Sequence, residues 1–370
     1  MSAINVPEIV KKHQPRLEER RKRLEKFWSG GDIGRPPISF IPGNLSPRQI
    51  YDDETKQLDC MAKYFQAVLA FPGDTIPIFW PDMGTVSLAS TFGGTIIREG
   101  TGEKQWIKPV LSSLEEVVYL EPSKPISNLV KKEFDRCCRW RDITKGLSCV
   151  APPDMQGPVN IACMLIDTSE LLVGMYTCPE LVHRLLRTCT DLILKVLESY
   201  KIEFGKAFAP ITWPLVWFPC GYGLTLTQDS IPFLSPNLYR EFELPYVQEI
   251  SRAMGGVYMH CCGRLEHVLG EVKKVDNLRG IDHAYPESHL EKILQNLGNH
   301  ITVTSNIASR GEKDFSTYDL YVQYLLPRLP KGTRMWHILP ADQPEITIKT
   351  LNILGLSEVC EEYQAALKVR

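Results

Sequence analysis

The sequence contains no run of 18 or more apolar residues, so no membrane-spanning helix is expected. Its N-terminal segment lacks the apolar stretch of a secretory signal, and we expect no signal peptide. Neither sign of charge predominates, because the formal net charge over 370 residues is -2. Strongly basic proteins bind nucleic acid or anionic membranes, so neither partner is expected for this chain.

A disulfide framework is also lacking, although the chain has eleven cysteines. Two pairs are adjacent, Cys137–Cys138 and Cys261–Cys262, and neighbouring cysteines rarely bridge each other. We therefore predict a reducing, cytoplasmic compartment, in which most of the thiols are small buried apolar side chains.

No glycine-rich dinucleotide fingerprint follows a predicted strand, which weighs against a Rossmann fold. From residue 157 onward, apolar runs alternate with segments of helical periodicity, which is typical of a parallel sheet. Strands are predicted at 38–42, 74–80, 158–165, 211–218, 256–260, 278–283, 300–306 and 333–339. About eight such strands favour a closed (β/α)8 barrel of the TIM type in the α/β class over an open sheet.

We divide the chain into an N-terminal helical extension, residues 1–36, and a barrel domain, residues 37–370. The charged segment 7–28 has few apolar positions and is predicted to be a lid or partner-facing helix. Residues 85–150 contain alternating segments typical of a β-hairpin, and we interpret them as an insertion in the first half of the barrel.

The segment GGVYMHCCGR (255–264) contains the strongest candidate for a functional site. Barrel enzymes carry their sites at the C-terminal ends of the strands, and strand side chains alternate between faces. His260 and Cys262 therefore point the same way and Cys261 the other, while Gly263 lets the chain turn away. Imidazole and thiolate are ligands that Zn²⁺ prefers. The alternative is a core cysteine beside a hydrogen-bonded histidine.

A catalytic zinc site takes three protein ligands and keeps one position open. His337, predicted at the end of the last strand, is the candidate for the third ligand. The alternative for His337 is a buried histidine that bonds a backbone carbonyl.

The segment HCCG (260–263) resembles the zinc motif of the uroporphyrinogen decarboxylase-like superfamily, in its corrinoid-dependent methyltransferase branch. Residues 157–194, 227–250 and 302–309 resemble further segments of that family, so the resemblance runs from about residue 150 to the end. It implies a TIM barrel, a bound Zn²⁺, and methyl transfer between a small substrate and a corrinoid (cobalamin) on a partner protein. A homodimer is compatible with it.

The resemblance has one departure. The zinc enzymes of that family add a second cysteine at the final strand, and aligning LPADQP (339–344) puts His337 in its place. A neutral histidine in place of a thiolate makes the metal site one unit more positive, which favours removal of a methyl group from a methoxylated compound.

The alternative functions are a methylcorrinoid:thiol methyltransferase and a tetrapyrrole-binding protein without metal. Arg48 is the only cation in segment 38–49, too little for an acidic tetrapyrrole.

Supporting roles are assigned to five further residues. Asp229, Asp154 and Tyr222 are candidate catalytic residues, and Gln156 and Asn306 are candidate cofactor-binding residues. The alternative for the two aspartates is a structural role, as a helix or turn cap for Asp229 and as a turn residue for Asp154. Asp282 or His283 is expected to form a hydrogen bond with the ring nitrogen of a zinc-binding histidine that does not contact the metal.

Overall fold

A computed structural model describes residues 5–41, 50–100, 104–121, 128–307 and 315–368. The predicted Arg48 lies outside these residues. Helices and strands alternate along most of the described chain, which makes the fold mixed α/β. The strands are β1 Ile38–Ile41, β2 Ile78–Phe79, β3 Ile96–Glu99, β4 Lys104–Ile107, β5 Cys149–Val150, β6 Leu224–Thr227, β7 Val257–Cys261, β8 Leu278–Tyr285, β9 Thr302–Ile307, β10 Arg334–Met335 and β11 His337–Pro340.

The central sheet has five strands in the order β10-β9-β8-β7-β6, and all its ladders are parallel. Two further parallel pairs are β1–β11 and β2–β5. The expected parallel arrangement is therefore present, but the described ladders belong to separate sheets and do not by themselves close a barrel. The predicted hairpin of the insertion is confirmed as the antiparallel pair β3–β4.

The helices between the strands pack on the sheets and bury one side. They are α1 Val6–Lys12, α2 Gln14–Trp28, α3 Glu54–Ala70, α4 Asn128–Thr144, α5 Pro158–Leu165, α6 Thr168–Thr177, α7 Pro179–Phe204, α8 Pro236–Leu238, α9 Leu244–Met254, α10 Leu269–Val272, α11 Leu290–Leu297, α12 Tyr318–Leu325, α13 Pro344–Ile353 and α14 Ser357–Lys368. In the described residues no single helix is long and apolar enough to cross a membrane, and only the bent pair α5–α6 passes that test by length and composition.

Two predicted strands were wrong. Residues 158–165 form helix α5, which has Pro158 in its first turn, where proline is well tolerated. Both sides of this short apolar run are largely buried, so periodicity alone does not separate helix from strand. Residues 211–218 form an irregular segment with a cis Trp213–Pro214 bond, and the strand follows later, as β6.

The interpretation of segment 7–28 as a lid was also wrong. It forms two helices, and the apolar side chains of α2 belong to the main core, among them Leu24, Phe27 and Trp28. The Trp28 indole donates a hydrogen bond to the Trp217 carbonyl at 2.7 Å. Its ring also packs against Tyr258, near the start of β7, so α2 covers the sheet at the N-terminal ends of its strands.

Candidate metal centre

The end of β7 carries the site predicted from the sequence. His260 is the next-to-last residue of the strand, and Cys262 directly follows it. Cys261 is fully buried, whereas Cys262 is exposed, as the alternation of strand side chains predicts. The chain turns at Gly263, where a Cβ atom would lie 2.5 Å from Pro232 Cγ. Glycine is favoured there because an added Cβ would force Pro232 or the turn to shift.

Asp229, two residues past the end of β6, lies next to this pair. Its Oδ1 accepts a hydrogen bond from the Cys262 backbone N–H at 2.8 Å and is 3.8 Å from His260 Nε2. Ligand atoms of Asp229, His260 and Cys262 all lie within 4.8 Å of one another. We call these three residues the Asp-His-Cys group.

The orientation of His260 is set by Asp282, its register partner on β8. Asp282 Oδ2 lies 2.6 Å from His260 Nδ1, and Asp282 Oδ1 accepts a hydrogen bond from Thr304 Oγ1 at 2.6 Å. A carboxylate only accepts, so Nδ1 carries the proton and Nε2 faces Asp229 and Cys262. Burial lowers the pKa of His260, but its hydrogen bonds with Asp282 and Cys262 raise it well above the usual value overall.

The donor set fits Zn²⁺. One carboxylate oxygen, one imidazole nitrogen and one thiolate are all zinc ligands, and three protein ligands leave a position for substrate. Two ligands roughly 2.0–2.2 Å from one ion lie at most about 4.4 Å apart, a limit that the 3.8 Å between Asp229 Oδ1 and His260 Nε2 respects. Asp282 behind His260 completes the carboxylate–histidine pairing common at zinc sites.

His337 is not brought into this group, contrary to the sequence prediction. It begins β11 rather than ending it. Its neighbour Trp336 packs on the Trp28 ring, and that ring also packs on Tyr258. Tyr258 lies two residues before His260 on β7, so the two side chains share one face of the strand, and Trp336 lies on that side. Alternation therefore turns His337 to the other side, where its Nδ1 lies 3.3 Å from the Tyr318 hydroxyl. Burial lowers the pKa of His337 to about 4.

Tyr222 is likewise separated from the other predicted residues. It precedes β6, whereas Asp229 follows that strand, so the two lie at opposite ends of it. The Tyr222 hydroxyl donates to the Trp28 carbonyl at 2.8 Å, and the Arg279 guanidinium lies 3.8 Å from its ring centre. Tyr222 therefore joins helix α2 to the sheet and does not face the Asp-His-Cys group.

Asp154 does lie near the Asp-His-Cys group. Burial raises its pKa to about 7, the negative charges of Asp82 and Asp229 add to this, and His260 opposes it. Thr227 Oγ1 donates to Asp154 Oδ1 at 3.3 Å. Asp154 is thus a carboxyl group that exchanges a proton near neutral pH.

Gln156 and Asn306 have different surroundings. Gln156 forms a bridge with Thr227 and accepts a hydrogen bond from Asn160 at 2.8 Å. Asn306 lines a cavity of about 230 Å³ that is also lined by Asp282, the partner of His260 Nδ1. Its other walls are mainly apolar and include Ile41, Trp213, Tyr318 and Ile338.

Two residues of the site were missed or misassigned from the sequence. Asp229 was expected to assist the ligands, and the structure brings its carboxylate among them. Asn160 was missed because its segment was interpreted as a strand, and no local sequence signal marks an asparagine that hydrogen-bonds a distant loop.

No family model matches the chain. Over 104 residues it is 29% identical to the uroporphyrinogen decarboxylase of Xanthomonas axonopodis pv. citri (strain 306), a match that covers 26% of this chain and 25% of the relative. The enzyme of the same name from Xanthomonas euvesicatoria pv. vesicatoria (strain 85-10) matches with the same identity and coverage. The chain thus spans about a quarter of the length of the curated relatives it matches.

A solved methyltransferase from Methanosarcina mazei shares the fold. The TM-score is 0.63, with 93% of this chain and 99% of that chain covered at 14% identity. Sequence and fold together support the uroporphyrinogen decarboxylase-like superfamily. The resemblance to this superfamily's methyltransferase branch rests on His260 and Cys262, and the third ligand-type side chain beside them is Asp229 rather than the expected His337.

Proposed function

We propose that this chain is a zinc-dependent methyltransferase that moves a methyl group between a small substrate and a corrinoid carried by a partner protein. The observation that carries the proposal is the Asp-His-Cys group with Asp282 behind His260. The corrinoid and its carrier protein rest on the family resemblance alone.

We propose further that the parallel strands close into a (β/α)8 barrel, residues 37–370, behind the helical extension 1–36. Only Trp336 separates β10 from β11, and its N–H donates to the Val303 carbonyl at 2.9 Å, which links the central sheet to the β1–β11 pair. The bridge between Gln156 and Thr227 links β6 to the chain that continues from β5. The Asp74 backbone N–H donates at 2.7 Å to the carbonyl of Ile38, the first residue of β1, which links β1 to the chain that leads into β2.

Zinc held by Asp229, His260 and Cys262 would act as a Lewis acid at the substrate atom that loses or gains the methyl group. The protein's own contribution is orientation. Asp282 keeps a proton on His260 Nδ1, so the proton that a metal ion would displace is the one on Nε2. The Cys262 N–H bond to Asp229 Oδ1 holds the carboxylate beside the thiol.

The charge argument for demethylation no longer applies once Asp229 replaces His337. One carboxylate, one thiolate and one neutral histidine neutralise a divalent ion, just as two thiolates and one histidine do. Asp154 supplies a different argument for the same direction. When a methyl group leaves an oxygen, that oxygen must gain a proton, and a carboxyl group with a pKa of about 7 can donate it.

We therefore favour O-demethylation of a small methoxylated substrate whose organic part enters the 230 Å³ cavity beside Asp282. The corrinoid would supply the electron pair that accepts the methyl group, and the freed oxygen would take a proton. Methylation of a thiol by methylcobalamin is the reverse type of transfer and remains the second outcome of the test.

The test combines metal analysis with two assays. Purified protein should contain zinc near one per chain, and it should demethylate a methoxylated compound with Co(I)alamin. His260→Ala should abolish both, whereas the control His300→Ala, at an exposed position, should retain both. If the protein transferred methyl groups only from methylcobalamin to a free thiol, the true direction of transfer would be the opposite of the proposed one. A protein that binds tetrapyrrole but neither zinc nor methyl groups would refute the proposal.

A further inference from the structure

Asn160 is a buried polar residue in the first half of helix α5, with 5% of its surface exposed. Its Nδ2 donates to Thr227 O at 3.1 Å and to Gln156 Oε1 at 2.8 Å. Its Oδ1 accepts the Ser230 backbone N–H at 2.8 Å. One amide group thus contacts three partners, two of which are backbone groups at the end of β6 and just beyond it.

These two backbone contacts bracket Asp229. Thr227 is the last residue of β6 and Ser230 follows Asp229 directly, so the Asn160 side chain fixes the chain on both sides of that residue. Between them, the Gln228 N–H donates to the His260 carbonyl at 2.8 Å. The segment 227–230 is therefore tied to α5 on one side and to β7 on the other.

We propose that Asn160 is a positioning residue that holds the carboxylate of Asp229 in place as the third metal ligand. The inference rests on the proposed metal site. Asp229 is one-third exposed and lies in a short irregular segment after a strand. Its carboxylate has one direct restraint, the Cys262 N–H bond to Oδ1, and the Asn160 bonds fix the backbone from which the side chain reaches that position.

The chemistry of this position calls for an amide. The side chain must accept from an N–H at Ser230 and donate to a carbonyl at Thr227, and asparagine does both with one rigid head group. A carboxylate at residue 160 would lack the donor for Thr227, and an apolar residue would leave the Ser230 N–H without this partner. Removal of a residue that orients a ligand typically lowers metal affinity by about 10–100-fold.

The experiment measures the affinity of the metal-free protein for Zn²⁺ by competition with a chromophoric chelator. Asn160→Ala should bind Zn²⁺ about 10–100-fold more weakly than the unmodified protein. Ser148→Ala is the control, because it also removes a buried hydrogen bond, from the Trp140 indole, but lies away from the metal group. Its Zn²⁺ affinity should not change. If Asn160→Ala does not fold, Asn160→Asp replaces it, with the same expected weakening.

A double-mutant cycle with Asp229→Ala separates positioning from a general structural effect. If Asn160 acts through Asp229, adding Asn160→Ala to Asp229→Ala should cause no further loss of Zn²⁺ affinity. The Co²⁺-loaded Asn160→Ala protein should keep the charge-transfer absorption of the Cys262 thiolate but change its ligand-field bands.

Three results would count against these ideas in different ways. Independent, additive losses from the two substitutions would overturn the role of Asn160. The same conclusion would follow if Asp229→Ala weakened Zn²⁺ binding but Asn160→Ala did not. If the unmodified protein and Asp229→Ala bound Zn²⁺ equally, or neither bound it, the proposed metal site itself would fail.

Discussion

Asp282 Oδ2 lies 2.6 Å from His260 Nδ1, and the two residues face each other across the parallel ladder of β7 and β8. Only 1% of the Asp282 side chain is exposed, so this contact is shielded from water. The pair assigns one tautomer to His260 and directs Nε2 towards Asp229 and Cys262.

Asp282→Asn should weaken Zn²⁺ binding by about 10–100-fold, because an amide oxygen polarises the imidazole less than a carboxylate does. Chelator competition on the metal-free protein measures the effect. Asp276→Asn, which changes a partly exposed ion pair with Arg252, is the control and should leave the affinity unchanged. Equal affinities for Asp282→Asn and the unmodified protein would show that Asp282 does not support a metal ligand.

His337→Gln should leave Zn²⁺ affinity within about twofold of the unmodified protein, since His337 lies on the other side of β11. A large loss of zinc would instead restore His337 as a ligand.

The same substitution should change how stability depends on pH. Burial lowers the pKa of His337 from 6.5 to about 4 in the folded protein, so the unfolded chain binds more protons between these values. The stabilisation linked to neutral His337 is complete above pH 6.5 and is lost as the pH falls towards 4. Denaturant unfolding at several pH values should show this loss in the unmodified protein relative to His337→Gln.

Asp154→Asn should lower the rate of demethylation and abolish its decline at high pH. The rate of the unmodified protein should decline as the pH rises through the pKa of Asp154 in the zinc-loaded enzyme, because Asp154 then loses the proton that it donates. A pH–rate profile measures this, and an identical profile for both proteins would exclude Asp154 as the proton donor.

Stability gives an independent check on Asp154. Its pKa rises from 3.8 in the unfolded chain to about 7 in the folded protein, so the folded state binds more protons between these values. In the metal-free protein, the stability of the unmodified chain relative to Asp154→Asn should therefore fall as the pH rises from 3.8 to about 7, and then stay level. A difference that does not vary with pH would contradict the raised pKa.

Gly263→Ala should destabilise the protein by about 1–3 kcal/mol, because the new Cβ would lie 2.5 Å from Pro232 Cγ. Gly270→Ala is a matched control on helix α10, where an added Cβ meets no atom within 4 Å. It should be neutral or stabilise by up to about 1 kcal/mol through helix propensity. Chemical denaturation of both variants measures the two effects, and equal stabilities would remove the steric argument for Gly263.

Several elements could be predicted because their signals are local. The run GVYMH and the segment HITVTSN predicted β7 and β9 within two residues, since the first is mainly apolar and the second is rich in β-branched residues. The shared orientation of His260 and Cys262 followed from the two-residue period of a strand. The segment that forms helix α5 was predicted as a strand because a short run of mostly apolar residues shows neither the helical nor the strand periodicity of apolar positions.

Local sequence is enough to place an imidazole and a thiol two residues apart at β7, followed by a glycine that permits the turn. The residue that completes the group depends on the folded chain. His337 and Asp229 both stood near predicted strand ends, but the register of β11 turns His337 outward, whereas the loop after β6 brings Asp229 to within 3.8 Å of His260. Register and loop bracing depend on contacts between residues far apart in the chain, such as Asn160 with Ser230, and no local pattern encodes them.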